Sequence, residues 1–229
     1  CMVHLLRVEE EYRLELREIR FDSFMLKQII QNGVPSGFQN SVIAIANVFV
    51  QSNINAFGKM AMAGCGSYSK IEGFAFLPVT CFTMALTTFV SQNLGAKQYD
   101  RAKKGARFGV LCSIAIAELI GIIIYAAAPI LITAFNRDPD VVHYGVMQAR
   151  IIALFYCLLA FSHCIAAVLR GSGNASVPMI VMLCDWCLFR VSYITVAVRI
   201  LPDIRVIFWA YPLTWSISSV IFLYLFLRG

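Results

Sequence analysis

Six long apolar stretches take up almost the whole of this 229-residue chain, and they limit its folds to very few. Runs free of Asp, Glu, Lys and Arg cover 28–58, 73–94, 151–169 and 206–227. The stretch 108–132 is interrupted only by Glu118, and 177–198 only by Asp185 and Arg190. Each offers the roughly 20 residues that a membrane-spanning helix needs. At 59% hydrophobic and 14% charged residues, the chain lacks the polar surface to hide six such segments in water. The expected fold class is an all-α membrane protein, a six-transmembrane-helix bundle with spans at about 28–55, 72–94, 107–132, 141–169, 177–200 and 205–227. A charged lead-in over 1–25, densest at 7–20, suits a cytoplasmic or interfacial stretch, and 26–229 forms the bundle. Residues 1–6 read as the tail of an earlier span and the chain as a piece of a longer protein.

The net charge of +6 follows membrane topology. With spans alternating from an inner start, twelve Lys and Arg fall on the inner side against five on the outer. That bias predicts a multi-pass protein of the cell membrane with both ends of this segment cytoplasmic. The eight cysteines lie mostly inside apolar stretches and imply no disulfide framework. Cys184 and Cys187 have the two-residue spacing of redox or zinc sites, yet sit within a span without a second pair, so they read as small buried hydrophobes. No metal site and no cofactor is expected.

Turn residues punctuate the spans at Gly58, Gly64 to Ser67, Gly95, Asn136 to Pro139, Gly171 to Asn174, and Pro202-Asp203. Asp100 and Asp138-Pro139 are placed to cap the third and fourth helices.

Polar side chains inside the spans carry the functional reading. At 100° per residue, Ser36, Asn40, Asn47, Gln51 and Asn55 occupy one third of the first helix over about 28 Å of axis, with Gln39 just off that stripe. Amides in such an array line a cavity or pair with another helix; they do not face lipid. Thr80 and Thr87, with Thr83 and Ser91, repeat the theme on the second span, where hydroxyls also bond their own preceding carbonyls. Four ionisable groups lie deep. Glu118 and Arg190 fall at about 16 and 20 Å from the inner side, His163 and Asp185 at about 10 and 12 Å. Glu118 and Arg190 are placed to neutralise each other if their helices touch, and His163 and Asp185 sit on neighbouring antiparallel spans. These four are candidates for proton or ion coupling or for structural ion pairs. Trp186, four residues before Arg190, offers it a cation–π contact.

Several blocks then resemble a known family. Gly33-Val34-Pro35-Ser36-Gly37-Phe38-Gln39 and Asn53-Ile54-Asn55-Ala56-Phe57-Gly58 look like the opening helix of the second half of multidrug and toxic compound extrusion (MATE) transporters. Val90-Ser91-Gln92-Asn93-Leu94-Gly95-Ala96 with Asp100-Arg101-Ala102, then Leu169-Arg170-Gly171-Ser172-Gly173-Asn174, Pro178 and Arg190, follow in the expected order. The resemblance implies one lobe of a two-lobe, twelve-helix transporter, this chain supplying the C-terminal lobe beside an N-terminal six-helix lobe. It also implies expulsion of organic cations or amphiphilic drugs in exchange for H⁺ or Na⁺, by alternating access. One departure stands out: where some branches carry an acid in this helix, Ile43 is found, and 151–169 has none either. Coupling then sits in the other lobe, or Glu118, His163 or Asp185 takes part.

Other readings stay open. A lipid-linked oligosaccharide or lipid flippase of the same superfamily is expected to line its cavity with more cations. An intramembrane enzyme needs a nucleophile beside His163, but Ser162 points away from it on a helix. A non-transporting membrane subunit would use the stripe as helix glue.

Overall fold

A computed structural model describes residues 21–228, so the charged lead-in up to residue 20 lies outside the described residues. The order is α1 (Ser23–Asn55), α2 (Lys59–Gly95), α3 (Tyr99–Phe135), α4 (Pro139–Ile152) and, after a 3₁₀ turn at Ala153–Phe155, α5 (Tyr156–Gly171). There follow α6 (Ser176–Met182), a π-helical segment (Leu183–Phe189), α7 (Arg190–Ile200) and α8 (Ile204–Arg228). The molecule is an all-helical membrane bundle. Among the described residues five helical runs are long and apolar enough to cross a bilayer: α2, α3, α4–α5, α6–α7 and α8. The expected first span, α1, falls short on apolarity rather than length, because Gln39, Asn40, Asn47, Gln51, Asn53 and Asn55 dilute it.

The chain starts each helix with local chemistry. Asp22 caps α1, accepting from the N–H groups of Phe24 and Met25 at 2.8 and 2.9 Å. Asp138 caps α4 through the Asp140 N–H, with Pro139 in the first turn as expected. Asp100 is not a cap: α3 begins at Tyr99, and Asp100 sits in its first turn, where it complements the helix dipole. The left-handed residue of the α2–α3 turn is Lys97, at φ +59°, rather than Gly95, which ends the helix.

The largest correction concerns Gly64 to Ser67. These residues do not separate spans; α2 runs straight through them. Gly64 lies buried where α2 crosses α4, and a Cβ there would stand 2.5 Å from the Val141 carbonyl oxygen and 2.9 Å from the Gly145 nitrogen. Glycine here serves close helix packing, the usual device when no hydrophobic force draws helices together in lipid.

The core is built by α2 to α5 with one face of α8, and includes Tyr68, Ile124, Ile132, Ile152, Leu159, Trp215 and Phe222. A second cluster joins the last turns of α1 to the start of α2, α7 and α8 through Val50, Ile54, Cys65, Ile194, Ile207 and Phe208. α1 packs on α6 and the π segment and also on α2, α7 and α8, while its residues 23–31 are exposed. Cys184 is exposed and Cys187 half-buried, so the expectation of two buried hydrophobes fails; both are free thiols.

A polar cavity as the candidate functional site

α1 delivers Asn40, Asn47 and Gln51 to one wall of a cavity of about 370 Å³. Ile43 and Val50 fill the apolar gaps of that wall. Opposite stand Ser69, Glu72 and Phe76 of α2, His163 of α5, Trp186 of the π segment, Arg190 of α7, and Tyr211 and Trp215 of α8. The amide stripe therefore faces a polar space. Its two ends do not: Ser36 and Asn55 lie outside the lining, and the Asn55 side chain accepts from Gln51 Nε2 at 3.0 Å. Gln39 turns the other way and donates to Met182 Sδ at 2.7 Å, joining α1 to α6.

The threonines of α2 behave as helix hydroxyls. Thr80 donates to the Phe76 carbonyl, and Thr87 to those of Thr83 and Ala167. Neither is among the residues that line this cavity.

Arg190 is wholly buried. Its guanidinium carbon sits 4.6 Å from the ring centroid of Trp186 and 4.6 Å from that of Tyr211, and Nη2 donates to Thr214 Oγ1 at 2.8 Å. The expected stack on Trp186 is present. The expected pairing with Glu118 is not. Glu118 is on α3 and accepts from the backbone N–H of Cys157, while Arg190 is coupled electrostatically to Glu72 and Asp185. Among the described residues the only carboxylate–cation pair within 4.0 Å is Asp203–Arg205, so neither acid touches the guanidinium.

Glu72 is the acid that the sequence reading passed over. It is the only carboxylate in the lining among the described residues, four residues along α2 from Tyr68, whose hydroxyl lies 2.8 Å from that of Tyr156. About 20 Å of helix separates it from the Lys59 end of α2, placing it inside the span. Glu72 and Lys70, close together, looked like the edge of a segment. Lys70 instead reaches the Phe135 ring at 5.4 Å, near the end of α3. The sign available in the sequence was the lack of a Pro or Asn-Gly turn between Lys59 and Glu72.

His163 does line the cavity, edge-on to Phe76 and Trp186 at centroid distances of 6.3 and 5.6 Å. It faces those rings and not Asp185, so the pairing of His163 with Asp185 is replaced by an aromatic setting. Asp185 is buried behind the cavity wall, against Ser218, without a well-formed hydrogen bond. Ser162 pairs with Ser219 at 2.8 Å and Ser218 at 3.4 Å, away from His163, so no nucleophile–base pair forms there. No group of three metal-ligating side chains occurs among the described residues.

Fold and cavity together define a class: an all-helical membrane-spanning lobe with a polar chamber inside it. The chain belongs to the MatE family, whose model matches residues 35–195. It is similar to the probable multidrug resistance protein YoeA of Bacillus subtilis, 23% identical over 167 residues, covering 73% of this chain and 36% of that protein. It is also similar to the probable multidrug resistance protein NorM of Thermotoga maritima, 28% identical over 155 residues, or 68% of this chain and 33% of that one. A crystal structure of MATE in the bent conformation superposes with a TM-score of 0.89 at 18% identity, over 99% of this chain and 51% of that one. The chain thus spans about a third of the length of these curated relatives that it aligns with, and about half of the solved structure.

Proposed function

We propose that this chain is the C-terminal lobe of a secondary active antiporter. Together with an N-terminal six-helix lobe in the same protein, it expels amphiphilic, charge-bearing compounds in exchange for H⁺ or Na⁺ by alternating access. The observation that carries the reading is the meeting of the α1 amides with Glu72 across one cavity within the span. A single carboxylate open to the cavity serves either a coupling ion or a cationic group of the cargo, and competition for it makes transport an exchange. Ile43 lines the same cavity, so the acid missing from α1 is supplied from α2. Arg190 is the one Lys or Arg in the lining among the described residues, too little positive charge for a pyrophosphate-bearing lipid. The excess of cationic residues at one end of the spans supports a cell-membrane location with both ends of this segment cytoplasmic.

The test is transport by the full-length protein in proteoliposomes. A cationic dye should move against an imposed H⁺ or Na⁺ gradient. Absence of movement under both gradients, with the protein correctly inserted, ends this reading.

A further inference from the structure

A second hollow, of about 750 Å³, lies between the end of α3 and the starts of α4 and α8, and shares no residue with the polar cavity. Val146, Ile151 and Trp209 give it an apolar wall, and the Trp209 ring is held edge-on to Phe155 at 5.9 Å. His143, Arg150 and Arg205 supply its charged and polar groups, and no Asp or Glu lines it among the described residues. Arg150 is the unusual member. It stands 11 residues into α4 from Pro139, about 16 Å along a membrane-spanning run, and it is exposed. Its guanidinium carbon lies 5.9 Å from the Tyr125 ring centroid, and among the described residues no carboxylate is within 4.0 Å of it. A cation at that depth in a bilayer needs an anion or a route to the surface. Helical side chains lean toward the N-terminus, so Arg150 leans back to the end where α4 and α8 both begin, where Arg205 stands. Nearby acids cancel only part of this charge. Asp203, in an adjoining hollow that shares His143 and Arg205, lies 4.0 Å from Arg205, with both side chains more than half exposed. Asp138 and Asp140 line neither hollow. Two guanidinium groups against one carboxylate leave one positive charge over.

We infer that this crevice is a binding site for an anionic phospholipid, with its phosphodiester between Arg150 and Arg205 and an acyl chain along Val146, Ile151 and Trp209. Guanidinium groups take phosphate oxygens in paired hydrogen bonds, and basic pockets between membrane helices recognise anionic headgroups. The single spare charge matches a singly charged phosphodiester. A zwitterionic lipid brings an ammonium group that the same spare charge repels. The apolar wall favours a lipid over a soluble phosphate, because from His143 to Ile151 it follows α4 for about 12 Å. Such a lipid is a fixed neighbour on the outside of the bundle, not cargo in the polar cavity, and the assignment does not rest on the transport reading.

The probe is phosphatidylglycerol with brominated acyl chains, which quench indole fluorescence on contact, compared with brominated phosphatidylcholine of the same chains. Each is titrated into the full-length protein in detergent, and the quenching that disappears in Trp209→Phe reports this crevice. Phosphatidylglycerol should reach half its effect at a concentration at least about fivefold lower than phosphatidylcholine. Arg150→Gln should narrow that preference to about twofold or less, whereas Arg150→Lys, which keeps the charge, should retain most of it. Arg205→Gln alters an exposed side chain that the fold does not need, and should narrow the preference in the same way. Equal half-effects for the two lipids overturn the inference, as does a preference untouched by both Gln variants. Absence of any quenching that depends on Trp209 overturns it too. Glycerol phosphate at the same concentration should leave the quenching unchanged; displacement by it would mark a site for a soluble phosphate and overturn the lipid assignment.

Discussion

Glu118 accepts a hydrogen bond from the backbone N–H of Cys157 at 3.2 Å, reaching from α3 to the first turn of α5. The 3₁₀ turn at Ala153–Phe155 interrupts the regular ladder just there, and a side chain from the neighbouring helix takes up the displaced donor. One turn further along α3, Gly121 is packed against the Ala153 carbonyl, so a single helix face clasps the joint.

This contact leads us to expect that Glu118 serves structure rather than coupling. Glu118→Ala should cost about 1–3 kcal/mol of stability, since it orphans a sheltered N–H. Glu118→Gln keeps an acceptor oxygen and should cost well under half of that. Thermal unfolding in detergent measures both. Gradient-driven transport by the Gln variant should be unchanged; its loss would place Glu118 on the ion path.

Glu72→Gln preserves shape and removes the charge. With transport reconstituted from the full-length protein, exchange should fall by about tenfold or more while the protein still elutes as a folded species. Unaltered exchange would assign coupling elsewhere.

The amide wall is tested by comparison within α1. Asn47→Leu and Gln51→Leu alter residues that line the cavity, and each should lower transport by about two- to tenfold. Asn53→Leu removes a side chain that donates to the Phe49 carbonyl of its own helix and should leave transport within about twofold of the parent. Equal effects at all three positions would make the stripe a matter of packing.

Gly64→Ala places a methyl against the Val141 carbonyl at the α2–α4 crossing and should destabilise by about 1–3 kcal/mol. Gly66→Ala, two residues along, meets nothing within 4 Å and should be neutral or slightly stabilising, because Ala is the better helix former. Melting temperatures of the two variants decide the matter.

Helical class was legible because apolar length is a direct demand of the bilayer, whereas the first three helices begin 5, 13 and 8 residues before the apolar stretches expected to start at 28, 72 and 107. The facing of Asn40, Asn47 and Gln51 was legible from their 100° spacing. Gly64 and Gly66 misled because a glycine pair carries the same letters whether it turns a chain or lets two helices touch, and only the partner at Val141 and Gly145 tells them apart. That misreading hid Glu72, set at the edge of a span that in fact began thirteen residues earlier, at Lys59. The partner of Glu118 could not be read at all, since a backbone N–H freed by a 3₁₀ turn has no sequence mark. Nor could the separation of His163 from Asp185, which depends on how α5 and the π segment rotate against each other.

The segment Leu183–Phe189 winds one residue more into its coil than a regular pitch accommodates. The wider winding carries residues 186 and 190 through a different angle from that of ordinary turns, and here the guanidinium carbon lies 4.6 Å from the centre of the indole. A regular coil through 183–189 would rotate one group relative to the other, so the stack at the chamber wall depends on this irregular stretch.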